Sequence, residues 1–180
     1  MNDLSNTDGK TPEPRRLGYS VRGLANWILD YAEAIDCRHT NMGINKLVFF
    51  AVEAFLLKQN TLLTNAKIEA WEHGPVFREL YQSFKSYGNG FIGGRAKSFS
   101  TASEEFEESK VSLSPEEEDF LKKSLFPLMR RNASELRAIS HRENGAWHRV
   151  WWYEGHTNPG MEISATLITR TGTGGIVEEA

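Results

Sequence analysis

The sequence predicts an α+β domain that is mainly α-helical, a compact helical body with a small antiparallel sheet beside it. Three observations carry this. Four segments place apolar residues at three- and four-residue steps, the spacing that gathers them on one face of a helix. One run alone, residues 66–71, alternates convincingly: Ala66, Ile68 and Ala70 against Lys67, Glu69 and Trp71. With 180 residues, 39% of them hydrophobic, the chain suits a single core.

In chain order, residues 1–18 are polar, with Pro12, Pro14 and Gly18, and read as a loose tail unless something docks them. Val21, Leu24, Ile28, Tyr31 and Ile35 mark the first helix, with Ser20 placed as its N-cap. After the break at CRHTN and Gly43, a second helix carries Ile44, Leu47, Val48, Ala51, Phe55 and Leu56 over an arc wide enough to make it central, and ends near Asn60. Its apolar run is too short for a membrane span and contains Glu53.

Next comes the strand at 66–71. Gly74-Pro75 then reads as the last loop residue and first position of a third helix, whose stripe is Phe77, Leu80, Tyr81, Phe84 and Tyr87 and whose stop is Gly88. Residues 89–112 show no helix, only short irregular strands or a surface loop held by Phe91, Ile92, Phe99 and Phe106.

Ser114 and Glu117 have capping-box spacing with Pro115 between them, and Leu121, Leu125 and Leu128 continue that helix. Asn132 and Glu135 repeat the box ahead of Leu136 and Ile139, and Asn144-Gly145 is a stop. Ser164 caps a short last helix through Leu167 and Ile168. The expected organisation is a tail at 1–18, one domain at 19–170 and a tail at 171–180.

A net charge of −3 offers no general attraction for polyphosphate, and a lone Cys37 with no apolar leader points to a reducing cytoplasm. His39, His73, His141, His148 and His156 stand in no metal-ligand spacing, so neither metal nor cofactor is expected. Cys37 and His39, two apart, diverge on a helix, and the glycines of YGNGFIGGRAK fit no phosphate-binding loop. The acidic stretch 104–119 reads as a solvated loop leading into a dipole-matched helix start. Trp147 and Trp151, four apart, suit a core; with Trp152, His148 and Arg149 they also suit base stacking. No catalytic set is legible, so the residues point to a non-enzyme. The alternative is a nucleic-acid-binding module built on residues 147–153, with Arg15 and Arg16 as added cations.

Three stretches in order, INKLVFFA (44–51), EAWEHGPVFRELY (69–81) and LRAISHRENGAW (136–147), resemble the Panacea domain of SocA-like antitoxins of bacteria or phage. The likeness covers residues 20–152. Phe49 replaces a usual tyrosine, and Glu72-His73 a common basic-aromatic pair. The resemblance implies an antitoxin that neutralises a cognate, adjacently encoded toxin by direct protein binding, with no catalysis. In the SocA type it also implies an adaptor that presents the toxin to a Clp-type protease. Lys46, Leu47, Phe49, Phe50, Glu69, Tyr81, His141, Glu143 and Trp147 hold the family positions and are expected to be structural. Trp71, Glu72, His73, Gly74, Pro75 and Val76 are the expected partner-binding residues. Within them Trp71 is read first as a filler between turn and helices, and an exposed Trp71 would make it a binding anchor.

Overall fold

A helix that is apolar on every side must be wrapped by the rest of the chain, and one helix here is. The computed structural model describes residues 13–172. In order they form β1 (Arg15–Arg16), α1 (Val21–Ala34), α2 (Asn41–Gln59), β2 (Thr61–Leu62), β3 (Ile68–Trp71), β4 (Gly74–Phe77), α3 (Arg78–Phe84), β5 (Lys97–Ser100), β6 (Glu105–Glu108), α4 (Pro115–Met129), α5 (Ala133–Ser140), α6 (Ala146–Trp151) and α7 (Ala165–Thr171). Residues 44–53 of α2 are all buried, and α1, α3, α4, α5, α7 and β4 pack around it. The chain is therefore α+β and mainly α, as the periodicities predict.

Local signals set most helix ends. Ser20 Oγ accepts from Gly23 N at 3.3 Å, and capping boxes close at Ser114/Glu117 and Asn132/Glu135. The second helix starts two residues before the expected break at Gly43, because Thr40 Oγ1 accepts from Gly43 N at 3.2 Å and so moves the cap upstream. Asn60, in the left-handed region at φ 47°, ends it.

Residues 13–18 are held, where the sequence suggests a loose tail. β1 lies parallel to β2, and the N–H groups of Leu17 and Tyr19 donate to Leu62 and Leu63 at 3.0 and 2.8 Å. Backbone pairing needs no apolar side chains, so composition does not reveal it. Of the expected tails, residues 1–12 and 173–180 lie outside the described residues, and Thr171, expected in the C-terminal tail, is the last residue of α7.

Segment 89–112 contains the antiparallel β5–β6 hairpin, with Phe99 opposite Phe106. Its anchor is not aromatic. Buried Asn26 donates to the carbonyls of Ala96 and Ser109 at 2.9 and 2.8 Å and accepts from Ala96 N at 2.7 Å. Ile92 and Ala96 are buried, whereas Phe91, Phe99 and Phe106 are exposed. Of the four expected anchors, Phe91, Ile92, Phe99 and Phe106, only Ile92 is buried.

The third helix begins at Arg78, three residues after Pro75, because residues 74–77 form a strand. β3 and β4 pair antiparallel, Ala70 facing Pro75 and Trp71 facing Gly74. The free edge of β4 is completed by α2: Lys46 Nζ donates to the Pro75 carbonyl at 2.8 Å, and Phe77 N donates to Asn45 Oδ1 at 3.0 Å. The outer edge of β3 is met by residues 160–163, with Ala70 N donating to Met161 O and Ile163 N to Ile68 O, each at 2.8 Å. With both edges covered, β3 does not alternate buried and exposed as the sequence suggests, and Glu69 is buried with its neighbours.

Candidate functional site

The β3–β4 hairpin ends in a two-residue turn, Glu72-His73, closed by Gly74 at φ 101°. Glu72 and His73 are exposed, Trp71 is half-buried, and Gly74, Pro75 and Val76 are buried. Of the six expected partner-binding residues, the first three thus have side chains at the surface, and the last three shape the backbone beneath them.

Trp71 is locked in place. Its Nε1 donates to Glu69 Oε2 at 2.9 Å, the Tyr81 ring meets it edge-on at a centroid distance of 5.0 Å, and the Arg78 guanidinium lies 5.5 Å above it. Arg78 also grips Glu69 through Nη2 at 2.7 Å and Nε at 3.1 Å. Burial pushes the Glu69 carboxyl up, but the hydrogen bonds from Arg78 and Trp71 and the charges of Arg78 and Lys67 outweigh it and hold the group below the usual carboxylate range. Trp71 is neither the buried filler nor the free anchor of the two sequence readings; it is a half-buried ring held by Glu69, Arg78 and Tyr81.

Behind the turn, Trp147 Nε1 donates to the Trp71 carbonyl at 2.9 Å. The Trp147 ring stacks on His141 at 3.6 Å and on Trp151 at 5.7 Å. Trp147 and Trp151 are buried, which leaves Trp152 as the exposed tryptophan of the segment that suggested base stacking. Burial pushes the His141 imidazole down to about 4, helped by the charges of Arg137 and Lys46; a hydrogen bond with the His73 backbone opposes this.

Lys46 has no exposed surface. Burial and the nearby Arg137 charge bring its ammonium down to about 7. Leu47, Phe49 and Phe50 are core, Phe49 meeting Phe50 edge-on at 5.6 Å. Phe49 carries no hydroxyl, and its ring is 2% exposed. Tyr81 braces Trp71, while Glu143 lies exposed away from the core.

Two cavities flank the turn and share Glu72 as a wall. One, of about 370 Å³, lies among Asn41, Met42, Lys46, Trp71 and Tyr81. The other, of about 560 Å³, is walled by Arg137, His141, Trp147, Trp151 and Trp152. Among the described residues no group of three or more His, Cys, Asp or Glu side chains is placed to hold a metal ion.

Sequence reasoning passed over Arg137, although it lies in the stretch LRAISHRENGAW. It also missed the ion pair of buried Glu53 with Arg142, 89 positions later. A charged residue inside the run LVFFAVEAFLL was the signal that a distant partner must exist.

Residues 44–148 match the family described as Antitoxin SocA-like, Panacea domain. The chain is 31% identical over 141 residues to Antitoxin SocA of Caulobacter vibrioides (strain NA1000 / CB15N), covering 76% of this chain and 72% of that protein. No solved structure matches.

Proposed function

The chain belongs to the SocA-like, Panacea-domain antitoxin family, and on that premise we propose that it neutralises a cognate, adjacently encoded toxin protein by binding it directly. It acts as a stoichiometric partner, without catalysis, metal or cofactor, in the cytoplasm. No helix among the described residues is long and apolar enough to cross a membrane.

The observation that supports this reading best is the half-exposed Trp71 platform. Tryptophan is among the side chains enriched at binding anchors, and one already fixed by Glu69, Arg78 and Tyr81 loses little freedom when a partner covers it. Glu72 and His73 extend the same surface, and the two cavities beside them offer recesses for partner side chains. A nucleic-acid role has less support, because two of its three tryptophans are buried.

Co-expression with the adjacent gene tests this. The wild-type chain should restore growth and co-purify with its neighbour in fixed ratio, including in cells lacking Clp protease. The pair of changes Glu72→Arg and His73→Glu, both on exposed residues, should weaken the complex by about ten- to a hundredfold while leaving the melting temperature within a few degrees. Growth restored with no complex in protease-deficient cells, or a harmless neighbour, contradicts direct neutralisation. Rescue that requires the protease would instead make the chain an adaptor for a Clp-type protease.

A further inference from the structure

We propose that the cavity walled by Arg137, His141, Trp147 and Trp151 receives a carboxylate side chain, an aspartate or glutamate, of the bound toxin. This rests on the direct-binding reading and names the chemistry of one contact within it.

Arg22, Arg78, Arg95, Arg131 and Arg142 each reach a carboxylate of this chain. Arg137 does not. Its Nε is buried with no acceptor, and so is Nε2 of His141 one helical turn later; both residues line the cavity. The charges that act on Lys46 and His141 are all cationic, from Arg137, Lys46 itself and His73. A guanidinium is charged at every working pH and presents a planar fork of donors that matches a carboxylate. Its Nε, buried without an acceptor near a fully buried lysine, carries a desolvation cost that an incoming carboxylate removes.

The cavity suits such a side chain in shape as well. Trp147 and Trp151, stacked 15° from parallel, give an apolar wall for methylene groups, and the donors sit beside it. Glu72 is the one acid on the lining. It is exposed and forms no ion pair with Arg137. Because His141 hydrogen-bonds the His73 backbone, an occupant at Arg137 also touches the frame of the turn that carries the proposed partner surface.

The test uses the full chain, labelled with nitrogen-15, and two neutral-backbone probes: N-acetyl-glutamate methylamide and its glutamine counterpart. The glutamate probe should shift the Arg137 Nε–H and the Trp147 and Trp151 indole resonances saturably, about tenfold more tightly than the amide. Arg137→Gln should abolish the response at an unchanged melting temperature. Arg137→Lys, which keeps the charge but loses the fork, should retain part of it and serves if the glutamine variant does not fold. Equal response to both probes, a response that survives Arg137→Gln, or stronger Arg137-dependent shifts with inorganic phosphate or a single-stranded oligonucleotide overturns the inference. With the adjacent toxin present, a wild-type complex that Arg137→Gln leaves intact sinks this contact and spares direct binding. A positive glutamate response with no wild-type complex does the reverse.

Discussion

Gly74→Val is expected to destabilise the protein by ~2–6 kcal/mol, combining the strain of a disallowed backbone with overpacking. Gly74 has φ 101°, a conformation that side-chain-bearing L residues rarely adopt. A Cβ there would also stand 2.6 Å from Ser140 Oγ and 2.8 Å from Lys46 Cε. Neither neighbour is free to retreat, since Ser140 Oγ donates to Arg137 O at 2.8 Å and Lys46 Nζ donates to Pro75 O at 2.8 Å. His73→Ala, one residue away but exposed, should cost no more than ~0.5 kcal/mol. Thermal melting of the two variants checks this: a drop of roughly 5–20 °C for the valine and almost none for the alanine. Equal melting temperatures would show that the glycine is not required.

Lys46→Met is expected to change how stability depends on pH. The Lys46 ammonium titrates near 10.5 in its ordinary state and near 7 in the folded protein, lowered by burial and then by Arg137. Between those values the unfolded chain holds a proton that the folded chain lacks, so wild-type stability rises as pH rises from about 7 towards 10.5. Below about 7 the folded state carries the buried charge, and the cost is present in full. The span is roughly 3–5 kcal/mol. His141, lowered to about 4, is neutral across this window. Methionine removes the dependence but leaves the Pro75 carbonyl without the Lys46 donor. In urea unfolding at pH 7.5 and 9.5 the wild type should gain stability relative to Lys46→Met. A constant difference would contradict the burial of the amine.

How much of this was legible in the sequence follows from how local each cause is. α1, α4 and α5 were readable because Ser20, Ser114 and Asn132 cap them within three residues and their apolar stripes repeat every turn. β4 was not, because the groups that make residues 74–77 a strand are Asn45 and Lys46, about thirty positions earlier. Proline after glycine is as good a helix start as a strand residue until that edge is known. Glu69 looked like the exposed half of an alternating strand because Arg78, its partner, lies beyond the turn. The β5–β6 hairpin has no apolar alternation at all: β6 is exposed throughout, and Asn26, seventy positions before Ala96, supplies the anchor. Within the candidate site the turn itself was visible as a motif. Arg137 was not, since what distinguishes it among the described arginines is a buried Nε with no acceptor in space.

Direct neutralisation means that the chain disarms its toxin by occupying it. Purified toxin, held at a concentration well above the dissociation constant, should be titrated with purified chain in the absence of any protease while its remaining activity is measured. Direct neutralisation predicts a linear loss that stops at a fixed molar ratio, with the end-point moved to higher ratios by Glu72→Arg with His73→Glu. Full activity at an excess of chain, or loss that continues at far less than one chain per toxin, would contradict it.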